Sequence, residues 1–416
     1  MGKAKKNKEK KPWMRFRHRV ARNIAYAVLY PYTKIRYHIN AEPFREQGDR
    51  AYLILMNHQT PFDQFFVGIS FKGPVYYVAT EDIFSNGFVS SLIRWLVAPI
   101  PIQKKKNDIG AVIKCIRVAR EGGTIAIAPE GNRTFSGRTE YMRPSIAALA
   151  KKIGLPIALY RIEGGYGVQP RWSDGARKGR MHSSVTRVIE PEEYAGMSDE
   201  ELFADINEGL FVDEAKPGGL FRSKKKAEYL ERAIYVCPFC GLSEFKSKGD
   251  EAWCLKCGRK IRYGEDKRIT GVGYDFPYEY VGEWYDHQKE FVNGINPMDY
   301  LGKEVYSDSI KLSEVIVYKN KRLISRETTI KLFGDRITIG DNEGKDTKEG
   351  ENILELRFDD IADASVMGHN KINIYHKDKI YQIKGSKSFN ALKYVNFCYR
   401  YKNYTQGDEN GKFLGL

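Results

Sequence analysis

Short apolar runs alternate with helical patterns between residue 40 and about residue 215, and this alternation constrains the fold more than any other feature of the chain. The predicted strands are the apolar runs at residues 52–56, 75–80, 98–103, 124–128, 156–161 and 183–189. The helical patterns lie at residues 108–121, 145–153 and 199–216. Strands that alternate with helices build layers in which helices cover a mostly parallel sheet. We therefore predict an α/β domain over residues 41–216, with a central, mostly parallel sheet flanked by helices.

Polar residues follow three of the predicted strands at the point where each strand ends. They are Asn57 and His58 after the first strand, Lys104 after the third, and Glu130, Gly131, Asn132 and Arg133 after the fourth. Because the carboxyl ends of parallel strands meet at one edge of a sheet, we expect these side chains to converge on one site. Lys104 and Arg133 offer positive charge to a phosphate there.

His58 and Asp63 form the candidate catalytic pair. A histidine can act as a general base near neutral pH, and a carboxylate can hold one ring nitrogen so that the other faces a substrate. The run TPFD also predicts a helix that has Thr60 as its N-cap and Asp63 in its first turn. We expect Asp63 both to cap this helix and to orient the His58 ring.

Four of the six cysteines form two Cys-x-x-Cys pairs, Cys237 with Cys240 and Cys254 with Cys257, and a glycine follows each pair. Since the chain lacks a secretory signal pattern, this spacing favours a metal over disulfides. We predict a zinc ribbon at residues 237–262, with a structural Zn²⁺ bound by the four thiolates. A rubredoxin-like iron site would use the same ligands.

The last hundred residues predict a third unit. Strand-like runs separated by turn signals occur at residues 330–333, 336–339, 353–358, 371–375 and 380–384, and an amphipathic helix follows at 388–404. Short strands closed by one helix predict a small β-barrel over residues 305–404, which resembles the pleckstrin-homology-like fold. We predict linkers at 217–236 and 263–304, and a tail at 405–416.

The amino-terminal segment is strongly basic. The first fifty residues hold 14 Lys and Arg against 4 Asp and Glu, in a chain whose net charge is +15. Apolar residues at positions 20, 24, 27 and 28 fall on one helical face beside arginines. This pattern is typical of a helix that lies in the headgroup region of an anionic phospholipid membrane, although a helix packed on the domain would show the same period. We predict residues 1–40 as a basic tail and an interfacial helix.

The apolar segments also bear on localisation. No run reaches the roughly 18 residues of a membrane-spanning helix, and the first residues are too polar for a secretory signal. We expect a peripheral or monotopic protein on the cytoplasmic face of the membrane. A second apolar helix at residues 84–96 could contact lipid or be buried in the protein. Nucleic acid is not favoured as a partner, because only Phe245 and Trp253 of the ribbon could stack on bases.

The stretch NHQTPFD, residues 57–63, resembles the Asn-His-x4-Asp block of the glycerolipid acyltransferases, the family that includes lysophosphatidate acyltransferase. The stretches IPIQKKK, PEGNRTFSG and LPIALY resemble the other three blocks of that family and occur in the same order. The resemblance implies transfer of a fatty acyl chain from acyl-CoA or acyl-carrier protein to 1-acyl-glycerol-3-phosphate, a lysophospholipid. The product would be phosphatidate.

The resemblance also implies roles for individual residues. His58 would be the catalytic base and Asp63 its orienting partner. The substrate-binding residues would be Lys104, Glu130, Gly131, Asn132, Arg133 and Pro156. The family usually carries arginine at the position of Lys104 and threonine at that of Asn132, and both departures bear on the acceptor. The alternatives are another lysolipid or an alcohol as acceptor, or a non-catalytic membrane adaptor. In that adaptor the α/β domain would only hold lipid, and the C-terminal modules would recruit a protein or lipid partner.

Overall fold

A computed structural model describes residues 12–102, 108–340 and 354–407. Lys104 lies outside the described residues, as do residues 1–11 of the predicted basic tail.

Seven of the described strands build the first sheet. They are β1 (Ile39–Ala41), β2 (Leu53–Met56), β3 (Val75–Thr80), β4 (Ile100–Ile102), β5 (Thr124–Ile127), β6 (Ile157–Glu163) and β7 (Met181–Ile189). Their order across the sheet is β1-β7-β6-β2-β5-β3-β4. The five strands from β6 to β4 are parallel to one another, whereas β7 is antiparallel to β6 and β1 runs with β7. The prediction of a mostly parallel sheet is confirmed.

Helices cover both faces of this sheet. They are α1 (Phe16–Tyr37), α2 (Asp63–Ser70), α3 (Gly87–Val97), α4 (Ile109–Arg120), α5 (Ser145–Ile153), α6 (Gly165–Val168), α7 (Pro191–Ala195) and α8 (Asp199–Leu210). Leu53 and Leu55 of β2 pack with α4, α5 and α8 on one face. Ile54 and Met56 pack with α1 and α2 on the other face. A strand buried on both faces is apolar without alternation, which explains the continuous run that predicted β2. We call residues 16–210 the α/β domain.

The cysteine module, residues 236–271, follows. Its strands are β8 (Val236–Cys237), β9 (Gly241–Leu242), β10 (Phe245–Lys248), β11 (Glu251–Cys254), β12 (Lys260–Tyr263) and β13 (Ile269–Gly271). The segments predicted as linkers contain ordered elements, namely a 3₁₀ turn at Leu230–Arg232 and helix α9 at Val281–Gly294. Ile234 and Trp284 in these segments are buried.

The C-terminal barrel, residues 306–406, is an antiparallel, barrel-like sheet closed by a helix. Its elements are β14 (Tyr306–Glu314), β15 (Arg322–Leu332), β16 (Arg336–Ile339), β17 (Leu354–Arg357), β18 (Ile361–Met367), β19 (Lys371–His376), β20 (Lys379–Gly385) and α10 (Ala391–Gln406). The strand order is β17-β16-β15-β14-β20-β19-β18. The sequence did not predict β14 and β18, because polar residues interrupt their apolar pattern.

One apolar core joins these units. It contains Trp172 of the α/β domain, Ile261 of the cysteine module, Trp284 of α9 and Leu392 of the C-terminal barrel. The barrel therefore packs directly on the domain that carries the candidate site.

Candidate active site

Asn57 fixes the chain at the carboxyl end of β2. Its side-chain amide donates to the carbonyl of Ile162 at 2.8 Å, and its Oδ1 accepts from the Ile162 amide at 2.8 Å. The side chain is buried, so both hydrogen bonds are shielded from water. This double contact with β6 ends the regular pairing of β2 and places the next residue, His58, at the edge of the sheet.

His58 and Asp63 are in direct contact. The Nδ1 atom of His58 lies 2.7 Å from Oδ2 of Asp63. The aspartate side chain is fully buried, whereas 26% of the His58 side chain is exposed. Since a carboxylate can only accept, Nδ1 carries the proton and Nε2 keeps the free lone pair. The imidazole is therefore held at its inner nitrogen and open at its outer one.

Three further donors hold the Asp63 carboxylate. The backbone amides of Gln59 and Thr60 donate to it at 2.7 Å and 3.0 Å, and the Thr60 hydroxyl donates at 2.6 Å. Hydrogen bonds to the ionised form are what make burial of a carboxylate tolerable. These hydrogen bonds also prevent rotation of the Asp63 carboxylate, so the carboxylate fixes the position of the His58 imidazole.

The helix that carries Asp63 begins later than predicted. Regular helix α2 starts at Asp63 itself, and Phe62 precedes it without a side-chain cap, so Thr60 as N-cap was wrong. The reason is that the amides of Gln59 and Thr60 turn toward the carboxylate and wrap the chain around it. Thr60 instead closes a local turn before the helix, because its hydroxyl accepts from the Phe62 amide at 3.1 Å.

Glu130 joins the loop after β5 to the loop after β2. One carboxyl oxygen accepts from the His58 amide at 2.8 Å, and the other accepts from the Glu140 amide at 2.7 Å. Burial raises the pKa of Glu130 well above its ordinary value. The amide of Thr134 also donates to the His58 carbonyl at 3.2 Å. Glu130 thus acts on the site through the backbone of His58, since both its oxygens face backbone amides.

Gly131 and Arg133 lie in the same loop. Gly131 has a φ of +68°, a left-handed conformation that favours glycine. The Arg133 side chain is only 8% exposed, and burial lowers its pKa to about 10 against the opposing effect of Asp63 and Tyr37. Among the residues that the structure describes, its Nη1 has no hydrogen-bond partner. A buried guanidinium with an unpaired N–H is suited to an anionic oxygen. Asn132 lies between these two residues and is partly buried.

The structure does not bring Pro156 to this site. Pro156 precedes β6, and its carbonyl accepts from the amide of Leu53 at 2.9 Å. It therefore lies at the amino edge of the sheet, one strand length of roughly 13 Å from the edge where His58 lies. Lys104, outside the described residues, has no structural account.

Sequence reasoning missed Arg171. It lies in an irregular segment after α6, and its Nη1 donates to the carbonyl of Arg133 at 2.7 Å. Arg171 does not directly follow a predicted strand and belongs to none of the four family-like stretches, so no sequence pattern marked it as part of the site.

The four predicted metal ligands converge in the cysteine module. Sγ of Cys237 lies 3.8 Å from that of Cys257, and Sγ of Cys240 lies 3.6 Å from that of Cys254. All four sulfur atoms lie within 4.8 Å of one another. A tetrahedron with metal–sulfur distances near 2.3 Å has sulfur–sulfur distances of roughly 3.8 Å. The cluster has the size and ligand set of a four-thiolate metal site.

Helices α1 and α3 expose large apolar side chains. Arg17 of α1 donates from Nε to the carbonyl of Trp95 in α3 at 2.7 Å, so the two helices adjoin. The exposed residues, here named the apolar face, are Phe16, Val20, Ile24, Val28, Ile35, Phe88, Val89, Leu92 and Trp95. The alternative that the apolar helix at residues 84–96 is buried in the protein is wrong, because the large apolar side chains of α3 are exposed. Within the described ranges, no helix combines the length and the apolar character needed to cross a bilayer.

Comparisons with known proteins show what part of the α/β domain is similar to. Residues 34–162 match the family model Acyltransferase. A chloroplastic 1-acyl-sn-glycerol-3-phosphate acyltransferase of Brassica napus is 23% identical over 210 residues, which cover 49% of this chain and 54% of that protein. A chloroplastic enzyme of the same name from Arabidopsis thaliana is 24% identical over 185 residues, which cover 42% and 48%. Residues 34–162 are therefore similar in sequence to acyltransferases, and the chain spans about half the length of the curated relatives it matches.

Among solved structures, the 1-acyl-sn-glycerophosphate acyltransferase of Thermotoga maritima is similar to this chain with a TM-score of 0.40 and 20% identity. The similarity covers 47% of this chain and 80% of that chain.

Proposed function

We propose that this chain is a membrane-surface O-acyltransferase. It transfers a fatty acyl chain from acyl-CoA or acyl-carrier protein to 1-acyl-glycerol-3-phosphate and so forms phosphatidate. The observation that carries the proposal is the His58–Asp63 pair, with a buried, fixed carboxylate and a partly exposed imidazole. The match of residues 34–162 to the Acyltransferase family and the names of the curated relatives support the reaction class.

His58 acts as a general base on the acceptor hydroxyl. Its Nε2 takes the hydroxyl proton while the oxygen attacks the thioester carbonyl carbon. The C–S bond then breaks, and the departing thiolate takes the proton back from the imidazolium. Asp63 stabilises that imidazolium and holds its tautomer. General-base catalysis of this kind contributes about 10² to 10⁴ in rate.

Cys115 is the one cysteine of the α/β domain, and its surroundings favour direct transfer over a cysteine-bound acyl-enzyme. Cys115 is buried inside the core formed by α4 and the sheet. Burial raises the pKa of its thiol to about 11, so it is protonated at neutral pH.

Arg133 holds the phosphate of the acceptor. Its buried guanidinium has an unpaired Nη1, and the negative charge of Asp63 raises the pKa of Arg133 against the effect of burial. A phosphate oxygen supplies the acceptor that this N–H lacks. His58 in one loop would then bind the acceptor hydroxyl, and Arg133 in the neighbouring loop would bind the acceptor phosphate.

The apolar face suits substrates that reside in a membrane. Phe16 and Phe88 are 80% and 81% exposed, and exposed apolar surface rimmed by basic residues favours an anionic lipid surface. Arg17 and Arg22 lie on the same helix as Phe16. Binding there would place His58 near lipid acceptors that a freely soluble enzyme would have to extract.

The cysteine module holds a structural Zn²⁺ in this proposal. The four thiolates would supply all four ligands of a structural zinc site and leave no position open for catalysis. Cys237 and Cys254 are buried, and Ala252 between β10 and β12 belongs to the core shared with the barrel. The ion would therefore stabilise the surface on which the barrel packs.

Replacing His58 by alanine tests the base. We expect His58→Ala to reduce transfer from acyl-CoA to lysophosphatidate by at least about 10², with unchanged circular dichroism and metal content. The control is His376→Ala at the end of β19, which should keep wild-type activity. Full activity in His58→Ala would exclude the proposed mechanism.

Replacing Arg133 by alanine tests the acceptor. Loss of a charge-assisted hydrogen bond should raise KM for lysophosphatidate by about 10- to 100-fold and leave KM for an uncharged monoacylglycerol unchanged. Arg143→Ala, at an exposed arginine before α5, is the matched control. Equal increases in the KM for lysophosphatidate and the KM for monoacylglycerol would instead favour another lysolipid or an alcohol as the acceptor.

Elemental analysis tests the metal. We expect one zinc per chain in the purified protein, and none in Cys254→Ser. Removal of zinc by a chelator should lower the thermal midpoint, because metal binding supplies folding energy to small sites of this type. Stoichiometric iron, or a metal-free wild type of unchanged stability, would contradict the assignment.

A further inference from the structure

Arg171 connects the Arg133 loop to the C-terminal barrel. Its Nη1 donates to the Arg133 carbonyl at 2.7 Å, and its Nη2 donates to the Val366 carbonyl at 2.9 Å. Its Nε lies 3.4 Å from the carbonyl of Gly368, in the turn after β18. One buried guanidinium thus binds backbone groups on both sides of the boundary between the α/β domain and the barrel.

The surroundings of Arg171 fix its plane. Its guanidinium lies 4.1 Å from the ring centroid of Phe135, and the side chain is 4% exposed. Burial and the neighbouring charge of Arg133 lower the pKa of Arg171 to about 9, so it remains a cation at neutral pH. Only a planar guanidinium presents several donors in a fixed fork. A lysine ammonium at this position could not bind the three carbonyls in the same arrangement.

The barrel also forms part of the wall beside Arg133. The small pocket that contains Arg133 is lined by Glu140 of the same loop, by Tyr285 of α9, and by Val366 and Leu392 of the barrel. A pocket beside Arg133 is therefore bounded by the C-terminal barrel as well as by the α/β domain.

We propose that Arg171 is a positioning residue. Through it, the packing of the C-terminal barrel on the α/β domain determines the position of Arg133. Arg171 holds the Arg133 carbonyl at a fixed distance from β18, and the guanidinium of Arg133 follows its own backbone. The barrel is then part of the acceptor site and not a separate recruiting module. This inference rests on the proposed function, in which Arg133 binds the acceptor phosphate.

Steady-state kinetics of Arg171→Met and Arg171→Lys test this positioning. We expect both variants to raise KM for lysophosphatidate by about tenfold, the scale of one lost charge-assisted contact. The kcat and the KM for acyl-CoA should stay within about twofold. A merely structural role would lower kcat and raise both KM values together, which would overturn the inference.

Lys321→Met is the matched control for barrel contacts in general. The Nζ atom of Lys321 in the barrel lies 2.6 Å from Oδ1 of Asp82, which belongs to the turn after β3 and not to the Arg133 loop. We expect this variant to leave KM for lysophosphatidate at the wild-type value. An increase equal to that of Arg171→Met would show that any loosening of the barrel suffices, and would overturn a specific role of Arg171.

A pair of glycine variants approaches the same contact from the barrel side. Gly368 and Gly302 have φ values of +60° and +70°, and a Cβ would find no atom closer than 3.7 Å at Gly368 and none within 4 Å at Gly302. Alanine therefore introduces the same left-handed strain at both positions, but only Gly368 contacts Arg171. Gly368→Ala should raise KM for lysophosphatidate several-fold more than Gly302→Ala does; equal values would contradict the inference.

Equilibrium binding separates this inference from the proposed reaction. Titration calorimetry with lysophosphatidate needs no turnover, so it reports on the phosphate site even if wild type transfers no acyl chain. The inference predicts about tenfold weaker binding in Arg171→Met than in wild type or Lys321→Met. Equal affinity overturns the inference alone, and absence of binding by wild type overturns both proposals.

Discussion

The buried carboxylate of Asp63 is the interaction on which the rest of the candidate site depends. It accepts from His58, from two backbone amides and from the Thr60 hydroxyl. A buried carboxylate without these donors would lose its charge or unfold the turn. With them, the chain closes around the carboxylate, and the imidazole is the one donor with a face open to solvent. The same set of bonds thus sets the start of α2 and orients the His58 imidazole.

The loop after β5 also fixes His58. Glu130 binds the His58 amide, and Thr134 binds the His58 carbonyl, so His58 is fixed at its backbone as well as at its ring. Arg133 follows in the same loop, and Arg171 ties that loop to β18. His58, Arg133 and the barrel are therefore parts of one hydrogen-bonded assembly, supported by a core that all of the units share.

The sequence predicted what local patterns determine. The apolar run of β2 and the polar residues at its end indicated the sheet, its direction and the His58–Asp63 pair, since strand burial and the carboxyl-edge rule act locally. The start of α2 was missed because side-chain bonds to Asp63 override the usual cap. The ordered segment around α9 was missed because its burial depends on partners far along the chain. Arg171 had no sequence signal, since its role comes from backbone carbonyls that only tertiary packing brings together. The zinc and the pleckstrin-homology-like resemblance remain predictions.

The central claim is that the His58 imidazole directs an acceptor hydroxyl onto a thioester. The most direct test incubates the purified wild-type protein with acyl-CoA and vesicles that contain lysophosphatidate, and measures both free thiol and phosphatidate by mass spectrometry. The account predicts one phosphatidate formed for each thiol released. Thiol release without phosphatidate, or no consumption of acyl-CoA with any lysolipid or alcohol acceptor, would contradict it.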